Sequence, residues 1–288
     1  MGAIYVLVLS TCWRFPMPLF PVDYADRKPL GRSGESISAI GLGTWGIRDE
    51  GRAFEALVYG VELGLDLIDT AEMYCGGRAE ELVGRVVREV GRDRVFVVTK
   101  LYPHRFRESG RAVEAAEASL RRLGLSYVDL LLIHWPDDLA PIWRQVRSLE
   151  AVAERGLTRY VGVSNFNLQQ LSEAVQSTRR YEVVVDQVKY SVLDRAIERD
   201  LLSFCVRVGV TVMAYTPLER GAVLRVGKLR EVASRYGRTP VQVALNYLVA
   251  RPRVVAIPKS ERREHVEEIR GTLGWRLEER DVEVLEKL

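Results

Sequence analysis

From residue 27 on, the chain repeats one pattern eight times. A short apolar run rich in β-branched residues is followed by a stretch with apolar residues at helical spacing. The apolar runs are ISAIGLGT, LDLID, RVFVVTK, VDLLLIH, RYVGVSN, EVVVDQV, VTVMAYT and VVAIPKS. The spacing predicts helices near 50–64, 79–90, 109–123, 142–155, 167–177 and 196–208. After the last two runs it predicts pairs near 227–236 and 240–250, and near 264–270 and 278–288. Strands that are apolar on both faces need cover on both faces, which a parallel sheet wrapped by helices provides. Gly64, Gly91, Gly124, Gly156 and Gly209 each fall just after a helical stretch, where a left-handed cap favours glycine. Thr239 reads as an N-cap, with Pro240 at the first helical position. No Ser/Gly-rich linker divides the chain. The fold class is therefore α/β, a single (β/α)8 TIM barrel with an N-terminal β-hairpin. An open sheet of eight parallel strands is the structural alternative.

The barrel is assigned residues 27–288. Residues 1–26 read as an N-terminal extension, disordered or the product of a misplaced start with Met17 as the true one. The apolar run in MGAIYVLVLSTCWRFPMP is too short to span a membrane and lacks a basic n-region and a cleavage site. The expected location is the cytoplasm. Cys12, Cys75 and Cys205 are scattered with no CxxC, and His104, His134 and His265 are far apart, so neither a disulfide framework nor a metal site is proposed. A net charge of +3 argues against nucleic acid or an anionic membrane as partner.

Polar or ionisable residues stand at the C-terminal end of every strand. In order they are Thr44-Trp45, Asp69 (with Tyr74 five residues on), Lys100, His134, Ser164-Asn165, Gln187, Tyr215 and Lys259-Ser260. In a (β/α)8 barrel these ends converge on one mouth, the usual place for an active site. Four of them make a mechanism. A tyrosine titrates near pH 10, so it is a poor acid at neutrality. A lysine ammonium beside Tyr74 would lower that pKa, and a carboxylate would hold the ammonium in place. Asp69 and Lys100 can serve that purpose, and His134 can hydrogen-bond a carbonyl oxygen beside the tyrosine hydroxyl. Taken one at a time, Asp69 with Lys100 also fits a structural salt bridge, Tyr74 a loop tyrosine and His134 a core histidine. Four compatible groups at three adjacent strand ends favour the joint reading.

The stretch GLGTWG at Gly41–Gly46 fits the G-x-G-x-x-G dinucleotide template, with an acidic residue some twenty positions later. That template needs a helix opening at its last glycine, and IRDEGR intervenes. Trp45 would also put an indole where backbone should approach a pyrophosphate. The match is read as a decoy, with Asp69 working beside Lys100 rather than on a ribose.

In order along the chain, GLGTWG, DTAEMYCGGRAEELVG, VVTK, LLLIHWP, YVGVSNF, DQVKYS, AYTPL and IPKS resemble the aldo-keto reductase family over about residues 28–270. The resemblance implies an NADP-dependent reductase of aldehydes or ketones with Tyr74 as proton donor, tuned by Asp69 and Lys100, and with His134 orienting the carbonyl. It implies cofactor contacts at Thr44, Trp45 and Asp69. Ser164, Asn165 and Gln187 would hold the carboxamide and Tyr215 would stack on the nicotinamide. Thr216, Pro217, Leu218 and Gly221 would cross the pyrophosphate. Lys259 and Ser260 would meet the 2′-phosphate, with His265 and Glu268 at the adenosine end. Trp45, Tyr102, His134 and Trp135 would line the substrate pocket. His265 stands where many NADP-preferring members carry arginine, and Ile269 where asparagine is common. These departures weaken the NADP pattern; NADP(H) remains the preferred cofactor through Lys259 and Ser260, with NAD(H) possible. The loops HWPDDLAPIW and TPLERGAVLRVG are short, which suggests an open mouth and broad acceptance of small carbonyl substrates. The expected assembly is a monomer or weak homo-oligomer. Two other functions fit parts of the pattern: a nucleotide-binding regulatory subunit without significant turnover, and an aldolase or isomerase using Lys100 as a Schiff base.

Overall fold

The computed structural model of the chain describes residues 20–288. The expectations for residues 1–19, including a start at Met17, lie outside the described residues. Strands β1 (Arg27–Pro29) and β2 (Ser36–Ser38) form an antiparallel hairpin. Then follow β3 (Leu42–Gly43), α1 (Glu50–Glu62), β4 (Leu67–Asp69), α2 (Arg78–Val90), β5 (Phe96–Leu101), α3 (Ser109–Leu123), β6 (Val128–Ile133) and α4 (Ile142–Glu154). The chain continues through β7 (Thr158–Ser164), α5 (Leu168–Ser177), β8 (Val183–Lys189), α6 (Leu201–Val208), β9 (Thr211–Tyr215), α7 (Gly227–Tyr236) and α8 (Pro240–Val249). It ends with β10 (Val254–Ala256), α9 (Arg263–Arg270) and α10 (Glu279–Leu285).

Strands β3 to β10 pair in parallel, each with its neighbour in the chain. The sheet then closes on itself. The Gly41 amide donates to Ala256 O at 2.9 Å, and the Ala256 amide donates to Ala39 O at 2.9 Å. These bonds join the last strand to the segment entering the first, so the structure is a (β/α)8 barrel and not an open sheet. The β1–β2 hairpin plugs the N-terminal end. Leu30 and Ile37 are buried against the inward residues Leu67, Val98, Leu130, Val184 and Met213. Phe20 is buried nearby, the Asp23 amide donates to Ala250 O, and Arg276 donates to Asp23 O and Ala25 O.

The helices form where the periodicity places them, with one exception. The stretch 196–208 is a 3-10 turn at Ala196–Arg199, followed by α6 from Leu201. Asp200 breaks it, its carboxylate capping the Leu201 amide. Glu198 is meanwhile held inward by the hydroxyls of Tyr190 and Tyr247. Thr239 caps α8 in a full capping box, and the glycines expected to close helices all have positive φ.

Strand alternation positions the site. Inward residues two apart read Leu67/Asp69, Val98/Lys100, Leu132/His134, Val185/Gln187 and Met213/Tyr215. The first of each pair packs in the inner apolar core. The reactive layer is thus the next layer of the same barrel interior. Gly162 makes room for it, since a β-carbon there would sit 2.6 Å from Leu132 Cδ2.

Helix α2 packs tightly against α3 at Gly84, where an added β-carbon would lie 2.1 Å from Leu123 O. Gly84→Ala is expected to cost about 1–3 kcal/mol in urea unfolding through overpacking. Gly51→Ala, in the open first turn of α1, is expected to stabilise by roughly 0.5–1 kcal/mol. Equal effects at the two sites would contradict this packing.

Candidate active site

The ammonium of Lys100 stands at the centre of the mouth and is fully buried. It lies 2.8 Å from each Asp69 carboxylate oxygen, and donates to Thr70 O at 2.8 Å and to Tyr74 Oη at 3.2 Å. Adjacent strands supply the pair, Asp69 at the end of β4 and Lys100 near the end of β5. Tyr74 comes from the turn after β4. That turn reverses through three left-handed residues, Cys75, Gly76 and Gly77, before α2 begins. Gly77 is also pressed against the Arg122 side chain, 2.7 Å from where its β-carbon would be. The ring of His134 meets that of Tyr74 edge to face, with centroids 5.7 Å apart. The His134 ring is stacked on Trp135 at 3.9 Å.

The electrostatics follow from burial. Desolvation raises the Tyr74 pKa, and the opposing pull of Lys100 does not overcome it. The ammonium lowers the pKa as expected, but the net shift is upward because burial outweighs it. The phenol stays protonated at neutral pH and keeps a proton to give. Burial also opposes the charge on Lys100, but Asp69 and Tyr74 outweigh it and raise its pKa. Burial, helped by the Lys100 charge, pushes His134 down to about 3. The imidazole is therefore neutral, and one ring nitrogen is a donor. Its Nδ1 has no hydrogen-bond partner among the described residues.

The remaining strand ends are wired to this pair. Gln187 donates to Asp69 Oδ1 at 2.8 Å, and Ser164 Oγ donates to Gln187 O at 2.8 Å. Asn165, held at positive φ, donates to His134 O at 3.0 Å and accepts from the Tyr215 hydroxyl at 2.8 Å. All of these except Lys100 line a cavity of 650 Å³, together with Trp45, Trp135, Thr216, Pro217, Leu218, Gly221 and Lys259.

Several predicted residues lie elsewhere. Thr44 is buried, and its hydroxyl donates to Asp69 O at 2.9 Å. Tyr102 stacks on His104 outside the cavity lining. Ser260 bonds to the Arg262 backbone, while His265 and Glu268 sit on α9, away from the lining. Conversely, Arg48, Met73 and Arg220 line the cavity without having been singled out. They sit in loops, where no periodicity marks orientation. Met73, one residue before the tyrosine, was the one with a usable positional signal. Gly41 owes its place to packing, since a β-carbon would lie 2.3 Å from Leu67 Cδ2. The helix after GLGTWG starts only at Glu50.

The segment after β9 crosses the mouth as a strap. Thr216, Glu219 and Arg220 all have positive φ. Glu219 grips Lys189 and Ser191 on one side, and the Arg220 guanidinium lies 5.1 Å from the Trp45 ring centroid on the other.

The model of the Aldo/keto reductase family matches residues 39–288. The chain belongs to the aldo/keto reductase family. It is 37% identical over 273 residues to the methylglyoxal reductase YeaE of Escherichia coli, covering 91% of this chain and 95% of that one. It is 33% identical over 224 residues to an NADH-specific methylglyoxal reductase of the same organism, covering 67% of each. The crystal structure of an aldo/keto reductase from Klebsiella pneumoniae in complex with NADP and acetate superposes with a TM-score of 0.84 at 33% identity, covering 91% of this chain and 94% of that one. As an aldo/keto reductase, the protein is an oxidoreductase that reduces carbonyl groups with NAD(P)H. The cavity's donors and acceptors, Tyr215 in its lining and the lysine at its β10 end fit a nicotinamide dinucleotide. Among the described residues, no helix is long and apolar enough to cross a membrane.

Burial puts the folded pKa of His134 below the unfolded value of about 6.5, so this histidine takes stability from the fold as pH drops below that point. The His134 ring resonances are expected not to titrate between about pH 5 and 8. A midpoint near 6.5 would contradict the buried, neutral assignment.

Proposed function

We propose that this aldo/keto reductase reduces small aldehydes and ketones with NADPH as the preferred hydride donor and Tyr74 as the proton donor. The observation that carries the reading is the contact of the Tyr74 hydroxyl with a buried Lys100–Asp69 pair, beside a neutral His134. A nicotinamide cofactor supplies hydride to the carbonyl carbon. As negative charge develops on the carbonyl oxygen, His134 Nε2–H hydrogen-bonds it and Tyr74 transfers its proton to it. The resulting tyrosinate lies 3.2 Å from the Lys100 ammonium, which stabilises it until solvent returns a proton. Asp69 keeps the ammonium charged and in place.

Ser164, Asn165 and Gln187 are assigned to the carboxamide and Tyr215 to the nicotinamide face, supported by their shared hydrogen-bond network. Thr216 to Gly221 are assigned to the pyrophosphate, supported by the strap. Lys259 is assigned to the 2′-phosphate, supported by its place on the cavity wall. Trp45 and Trp135, 55% and 38% exposed, form an apolar, accessible rim, as an enzyme for varied small carbonyls needs. The names of the two Escherichia coli relatives make methylglyoxal the first substrate to try. A cytoplasmic enzyme without a nucleic-acid partner is consistent with the composition.

The experiment is NADPH oxidation over a panel of aldehydes and ketones, with Tyr74→Phe alongside. The variant is expected to lose about 10²–10⁴-fold in kcat while binding NADPH like the wild type. Retained turnover in Tyr74→Phe would remove the proton-donor assignment. No turnover by the wild type on any carbonyl, with NADPH still bound, would favour a regulatory subunit instead.

A further inference from the structure

The loop after β10 carries Lys259, Ser260 and Glu261. The Lys259 ammonium is ion-paired with the Glu261 carboxylate two residues on. That carboxylate does more than neutralise the lysine. It accepts the Arg48 amide at 3.1 Å and the Asp49 amide at 3.2 Å, on the approach to α1, whose N-cap is Asp49. Burial pushes the Glu261 pKa up, but Lys259 and the two amides outweigh this and hold it below the usual glutamate value. Glu261 is therefore a charged carboxylate in a nest of one ammonium and two backbone N–H groups. Charge-assisted donors arranged in this way suit the oxygens of a phosphate monoester as well as a carboxylate. The nest also borders the cavity, since both Lys259 and Arg48 line it.

We propose that Glu261 is a cofactor-specificity residue, its carboxylate competing with the 2′-phosphate of NADPH for Lys259 and so narrowing the preference over NADH. The inference rests on the assignment of Lys259 to the 2′-phosphate. A phosphate dianion and a carboxylate cannot share one ammonium without facing each other. Two like charges brought onto one ammonium repel each other even near the surface. NADPH must therefore open the Lys259–Glu261 pair or bind against its field. NADH has a hydroxyl at that position and leaves the pair closed. Glu261 touches neither Tyr74 nor Lys100, so its effect falls on binding and not on proton transfer.

The test is a titration of tryptophan fluorescence by NADPH and by NADH at fixed ionic strength, for the wild type, Glu261→Gln and Lys259→Met. Gln keeps the shape and an acceptor oxygen but removes the charge. It is expected to tighten NADPH about tenfold, the change that roughly 1.4 kcal/mol makes, and to move NADH by less than about twofold. Lys259→Met is expected to weaken NADPH about tenfold or more and leave NADH nearly unchanged. If Glu261→Gln disturbs the loop, which a loss of thermal stability reports, Glu261→Ser serves as the second variant with the same expected selectivity. Unchanged or weaker NADPH binding in both Glu261 variants, with Lys259→Met still selective, overturns the role of Glu261 and leaves Lys259 in place. A Lys259→Met variant that weakens neither cofactor selectively overturns both.

Discussion

A cation has been placed inside the barrel mouth, and the rest of the site depends on how it is kept charged. Burying an ammonium costs several kcal/mol unless it is paired and hydrogen-bonded. Lys100 meets the condition with the Asp69 carboxylate, Thr70 O and Tyr74 Oη. Parallel pairing of β4 and β5 brings the partners together, with Asp69 opposite Val98 and Lys100 two residues further on. Removing either charge would leave the other stranded in a dry interior. Burial is the main reason that His134 is neutral and the Tyr74 phenol protonated; the same ammonium adds to the first effect and opposes the second. One ion pair thus acts on both groups.

The pair also ties the Asn165–Tyr215 side of the cavity to the Tyr74–His134 side. Asp69 is held by Gln187, Gln187 O by Ser164, and His134 O by Asn165, which in turn positions the Tyr215 hydroxyl. A ligand that aligns itself on Asn165 and Tyr215 is therefore registered against Tyr74 and His134 through hydrogen bonds of about 3 Å. On the far wall the polar logic differs. Lys259 is exposed enough to exchange partners, and its carboxylate partner belongs to the same loop. The first pair is fully buried, whereas the second is partly exposed.

Most of this was legible because strand alternation and helix periodicity are written residue by residue. Eight apolar runs gave eight strands, and the polar residue two past each inward apolar one gave the ring around the mouth. What sequence could not supply was the balance of opposed effects and the aim of loop residues. The ammonium beside Tyr74 lowers its pKa as expected, but the depth of burial outweighs it, and burial is a property of the packed fold. Tyr102 stands just past β5, yet its ring stacks on His104 and its amide is bonded to Glu72. Arg48 and Arg220 reach the cavity from loops whose paths depend on positive-φ residues and on Glu261. GLGTWG matched a dinucleotide template because close packing and phosphate binding both favour glycine. The Leu67 side chain against Gly41 decides for packing.

We propose that the buried Lys100–Asp69 pair makes Tyr74 an effective proton donor. The most direct measurement is the single-turnover rate of aldehyde reduction by Lys100→Met at saturating NADPH, with cofactor affinity measured on the same preparation. The account predicts a rate lower by about 10²–10⁴-fold with cofactor affinity within a few-fold of the wild type. A rate close to the wild type in a folded, cofactor-binding Lys100→Met protein would contradict it.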